Sequence, residues 1–134
     1  PEVLTPPLNV LRLSLHPQGL APRIVNLPAW RAHLLHRLRL QVHASGDPVL
    51  TALAEELRGY PVPGGEPPDP VPPDSHVYVP LQLRTAAGVL HFISTITVFG
   101  TPTDITLSEL ALETFFPADE HTAATLRQLA DTLR

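Results

Sequence analysis

The chain has 134 residues, enough for one domain that buries roughly two-thirds of its unfolded surface. It has no cysteine, which excludes disulfides, thiolate metal sites and thiol catalysis, and its formal charge of −4 sets it apart from proteins that grip DNA through clustered cations. No apolar run approaches the ~20 residues that span a bilayer, and no secretion signal opens the chain, so a soluble cytoplasmic protein is expected.

The 23 leucines supply ample material for a core. All nine cations are arginines, and their pairing with abundant alanine and proline reads as the product of a GC-rich bacterial genome. The chain starts at Pro1 and contains no methionine, so a piece of a longer protein is expected.

Residues 1–7, with three prolines, read as a connector remnant, and residues 8–134 as one domain. The segment from Leu8 to Leu15 carries two readings. Leu11, Leu13 and Leu15 alternate like a strand, while Leu8, Leu11 and Leu15 fit a helical face with Asn9 as N-cap. The short helix is preferred, and His16-Pro17-Gln18-Gly19 ends it.

Asn26 predicts a helix entered through Leu27 and Pro28, whose missing N–H is harmless in a first turn. Its buried stripe is Leu27, Trp30, Leu34, Leu38 and Val42, joined by Leu35, with Arg31, Arg37 and Arg39 away from the centre. Ala44-Ser45-Gly46 closes it. Asp47-Pro48 then opens a second helix, with Leu50, Leu53, Ala54 and Leu57 inward and Gly59 as its stop. Two such helices on so short a loop predict an αα-hairpin.

Tyr60 to His76 holds seven prolines and is expected to be irregular, either a tolerated surface insertion or a lid. Val77, Val79, Leu81 and Leu83 then alternate with Tyr78, Pro80, Gln82 and Arg84, which predicts a strand that lies at an edge or begins irregularly at Pro80. Ala86-Ala87-Gly88 turns the chain into a central strand. There Leu90, Phe92, Ser94, Ile96 and Val98 form one face, and His91, Ile93, Thr95, Thr97 and Phe99 the other. Gly100 to Asp104 is read as a turn, and the apolar period slips between Leu107 and Leu110, where a bulge or a helical turn opened by Thr106 and Glu109 is expected. A third strand leads through Phe115 and Phe116. Asp119 caps a final helix with Leu126, Leu129, Ala130 and Leu133 inward. The predicted class is α+β, an antiparallel meander of about three strands with helices on one face.

Seven histidines raise the question of a metal. His33, His36 and His43 share a flank of one helix, expected to face solvent, with no third ligand type of the usual spacing. His91 points either into the interior or outward, and His16 either caps the first helix or meets a ligand. Ser94 lacks a nucleophile elbow, no glycine-rich phosphate loop precedes a helix, and Glu109 and Glu113 have nothing near in sequence to perturb them. No catalytic residue, cofactor or metal site is predicted.

Three stretches carry a resemblance to a known family. They are Asn9 to Leu20, Arg23 to Asn26, and above all Ser94 to Asp104 running on through Phe115-Phe116-Pro117-Ala118-Asp119. In these the chain resembles the MmyB-like ligand-binding domain of bacterial, mostly actinobacterial, transcription regulators. The resemblance implies a PAS-like sensor following an Xre-type helix-turn-helix domain, with a small, largely apolar ligand such as a fatty acid held between sheet and helices. It also implies contact with DNA only through that missing N-terminal domain, and no membrane partner. The family normally has two further strands and a short helix before the Asn9 segment. Their absence here leaves an open sheet edge and predicts a homodimer. The candidate ligand-binding residues, placed by geometry, are Trp30, Leu34, Leu38, His91, Ile93, Thr95, Thr97, Phe99 and Phe115. The alternatives are a ligand-free dimerisation module, its slot filled by its own Leu and Phe side chains, and an enzyme of another class.

Overall fold

Asn9 settles the reading of the first segment. Its side-chain oxygen accepts a hydrogen bond from the Arg12 amide at 3.0 Å, and a helix, α1 (Val10–Leu15), follows. The computed structural model describes residues 4–6, 8–65, 79–98 and 111–134, which fall into two units, Pro1–Val79 and Pro80–Arg134. In the first unit α1 ends in a tight turn where Gly19 donates to the His16 carbonyl at 2.8 Å and Leu20 to the Leu13 carbonyl at 2.9 Å. A β-carbon at Gly19 would fall 2.1 Å from the Leu13 oxygen, so only glycine fits there.

A 3₁₀ turn (Ala21–Arg23) leads into α2 (Leu27–Ser45), with Pro28 in its first turn and Gly46 closing it. α2 buries Leu27, Trp30, Leu34, Leu35 and Leu38, the expected stripe, with Val42 half-buried at its end. Asp47 caps α3 (Pro48–Arg58) by accepting from the Val49 amide at 2.8 Å, and α3 buries Leu53, Ala54 and Leu57. The two helices pack as the predicted hairpin. Arg31 corrects the sequence reading, because it is only 7% exposed. Its Nη2 donates to the Arg58 carbonyl at 2.8 Å. That carbonyl lies at the C-terminus of α3, where no intrahelical donor remains, and a guanidinium suits it.

The second unit holds β1 (Leu81–Thr85), β2 (Gly88–Val98) and β3 (Ala111–Pro117), all antiparallel in the order β1-β2-β3. β1 begins after Pro80, later than the apolar alternation implies, since alternation marks a face but a proline has no N–H for the ladder. Among the described residues no amino acid but glycine has a positive φ, which rules out a type I′ hairpin at Ala86-Ala87. Gly88, at φ 105°, takes the left-handed conformation instead.

α4 (Glu120–Thr132) is capped by Asp119, whose Oδ1 accepts from the Thr122 amide at 2.8 Å. Its inner face differs from the expected one. Thr122 and Thr125 are buried, at 0% and 8% exposure, whereas Leu129 and Leu133 are 52% and 88% exposed, Ala130 is exposed and Leu126 is half-buried. The reason is backbone accounting. β3 ends opposite Phe92, so the next β2 residue along this edge, His91, has lost its strand partner. Its amide donates to Thr122 Oγ1 at 2.9 Å and its carbonyl accepts from the Ala118 amide at 2.8 Å.

Four α-helices and one open three-stranded sheet among the described residues make the chain α+β, a partial PAS-like arrangement, as expected. The Gly100–Asp104 turn, the Leu107–Leu110 slip with its Thr106 and Glu109 cap, and the proline-rich segment from residue 66 to 78 lie outside the described residues.

Thr122→Val keeps the shape and removes the acceptor for the His91 amide. It is expected to cost about 1–3 kcal/mol of unfolding free energy in urea and to speed amide exchange at His91, while Thr122→Ser costs less. Unchanged exchange at His91 would show that this hydroxyl does not hold the helix.

Candidate functional site

In the helical unit, α1 is clamped to α3. Arg12 Nε and Nη2 each lie 2.7 Å from an oxygen of Glu56, a bidentate fork. The Tyr60 hydroxyl also donates to Glu56 Oε1. The His16 ring stands edge-on to Tyr60 with centroids 5.0 Å apart. Arg12 is the largest cause holding the Glu56 carboxyl at about 2, with the Tyr60 hydroxyl next. The Tyr60 hydroxyl is pushed up, first by burial and then by Glu56. A carboxylate so committed is a fixed anion and not a proton shuttle at neutral pH. Beside the clamp runs an open groove of about 500 Å³, from Asn9 and Arg12 to Pro48, Val49, Ala52, Leu53 and Glu56.

The interior of this unit holds three of the candidate ligand residues. Trp30, Leu34 and Leu38 are all buried, at 2%, 3% and 1% exposure. The Trp30 indole nitrogen is buried with no hydrogen-bond partner. Its ring lies 5.6 Å from that of His33, tilted by 35°. His33 and His36 are half-buried, which corrects the expected solvent-facing flank, while His43 is exposed. Among the described residues no three His, Cys, Asp or Glu stand together where they could hold a metal ion, and no helix is long and apolar enough to cross a membrane.

In the sheet unit, register decides which side chains share a face, since residues directly opposite in an antiparallel pair lie on one side. His91 is opposite Gln82, Ile93 opposite Phe116, Thr95 opposite Thr114 and Thr97 opposite Leu112. That face therefore alternates aliphatic or aromatic side chains with hydroxyls. The sheet brings together His91, Ile93, Thr95 and Thr97, with His91 and Ile93 half-buried and the threonines exposed. Phe115 is opposite Ser94 and so belongs to the other face, with Leu81, Leu83, Leu90 and Phe92. Phe116 is the aromatic on the His91 face, and sequence alternation alone does not distinguish it from Phe115, because a one-residue slip exchanges the two faces. Phe99 lies outside the described residues. At the edge of the sheet, His91 Nδ1 is 3.9 Å from Asp119 Oδ2. The Asp119 carboxyl is held low mainly by the Thr122 amide and hydroxyl, with His91 and His121 adding to this.

An apolar helical interior with a buried indole donor, together with a sheet face of interleaved aliphatic and hydroxyl groups, is the material of a small-molecule binding domain. Over residues 1–129 the chain matches the family model of the MmyB-like transcription regulator ligand binding domain, and it belongs to that family. Comparison with curated proteins and with solved structures returns no match.

Glu56→Gln removes the charge of the clamp and keeps its shape. Both Arg12 and Glu56 side chains are more than a third exposed, so the expected loss near neutral pH is at most ~1 kcal/mol. The folded carboxyl titrates at about 2 against an ordinary value of 4.5. The wild-type advantage is therefore full above 4.5 and disappears as pH falls to about 2. A gap between the two proteins that persists below that range, in urea unfolding at stepped pH, would contradict the ion-pair assignment.

Proposed function

We propose that this domain is a non-enzymatic sensor in the cytoplasm that binds a small, largely apolar molecule of the fatty-acid kind. In this reading it relays occupancy to an Xre-type helix-turn-helix DNA-binding domain of the same regulator, and the regulator acts as a homodimer. The observation that supports it most is apolar surface left on both sides of the sheet. Ile96 and Phe115 on one face are 43% and 41% exposed, and Leu112 and Phe116 on the other are 55% and 49% exposed. Side chains of this size on so small a sheet call for a cover, either a guest or a partner. Relay follows only where the guest binds one arrangement of the helices better than another.

Exposed Leu129 and Leu133 on α4 favour a second reading, a ligand-free dimerisation module in which another copy covers these faces. Native mass spectrometry of freshly purified protein separates the two. A retained small molecule, identified after denaturation, is expected for the sensor, and a dimer with no small molecule for the alternative. Light scattering after size exclusion is expected to give a dimer at micromolar concentration. A monomer throughout that range would remove the homodimer from both readings.

A further inference from the structure

We propose that the Trp30 indole N–H is the polar anchor of the ligand, donating a hydrogen bond to the oxygen-bearing end of an otherwise apolar molecule. The proposal rests on the ligand-binding reading above and assigns a role to one atom of it. Trp30 is 2% exposed, and its Nε1 has no hydrogen-bond partner. An indole nitrogen can only donate, and buried indoles normally meet an acceptor.

The polar side chain beside Trp30 is His33, whose ring lies 5.6 Å away and tilted by 35°, and it makes no hydrogen bond to the indole. Leu27, Leu34 and Leu38, which share the stripe with Trp30 at helical spacing, are buried hydrocarbon. The backbone carbonyls of α2 are engaged in its own ladder. Neighbouring Arg31 is a donor, and its Nη2 is directed to the Arg58 carbonyl. A donor set in hydrocarbon is complementary to a hydrocarbon chain that ends in oxygen: a fatty acid, fatty alcohol or ester. The tail lies along the leucines while the oxygen takes the N–H. Discrimination follows from this geometry, because a pure hydrocarbon leaves the donor unmet and a molecule with several polar groups leaves its own unmet.

Two measurements test it, with laurate and 1-dodecanol as probes. Trp30→Phe keeps an aromatic ring and removes the N–H. Calorimetric titration is expected to show binding weakened about tenfold for dodecanol and up to about a hundredfold for laurate, the values for a lost neutral and a lost charge-assisted bond. Trp30 is the only tryptophan, so wild-type protein labelled with nitrogen-15 gives one indole N–H resonance. That resonance is expected upfield in the ligand-free protein and to move downfield on adding laurate. This second measurement needs no variant and stands if Trp30→Phe fails to fold. Equal affinities for wild type and variant, or an indole already hydrogen-bonded before laurate is added, overturn the anchor and leave the sensor reading in place. Wild-type protein that binds neither probe overturns both.

Discussion

Polar groups that must find partners inside apolar surroundings govern this chain more than leucine packing does. β2 has eleven residues and β3 seven, so part of one β2 edge outruns its neighbour. The backbone at His91 is completed by the Ala118 amide and the Thr122 hydroxyl. That debt sets where α4 starts, why a threonine is its most buried residue, and why its leucines are left outside. In the helical unit the same rule puts a guanidinium, Arg31, at the C-terminus of α3. The demand is local, and the helix or turn that meets it is placed accordingly.

Against that background Trp30 stands out. Thr122, Thr125 and Arg31 are buried polar residues with hydrogen-bond partners in the fold. The indole of Trp30, as deeply placed, has none. An indole donor left unmet in the helical core is the feature on which the proposed ligand anchor rests. The Arg12–Glu56–Tyr60 clamp is of another kind. It is half-exposed, fully reciprocated and holds α1 against α3, so it contributes rigidity and not chemistry.

The helices were readable in the sequence because their ends are marked by single residues acting on adjacent backbone. Asn9, Asp47 and Asp119 each accept from an amide two or three residues on, and Pro48 and Gly46 sit at the positions their backbone preferences select. The strands were readable from their period of two. What could not be read depends on partners far along the chain: Arg31 answers a carbonyl 27 residues away and Thr122 an amide 31 residues away. The face carrying Phe116 depends on register, which the apolar pattern of Leu110 to Phe116 does not specify. Of the candidate site, the burial of Trp30, Leu34 and Leu38 and the common face of His91, Ile93, Thr95 and Thr97 followed from periodicity. The unmet indole nitrogen did not, since no spacing rule announces a missing acceptor.

The outer strands have a further bearing on how the protein behaves in a crowded solution. β1 and β3 flank β2, and strands in such positions recruit others, which is how fibrils grow. Here Pro80 stands immediately ahead of β1 and Pro117 is the last residue of β3, and neither has an N–H to offer an incoming strand. Arg84 and Glu113 add a charge to each border. Such borders discourage strand-to-strand growth beyond the sheet.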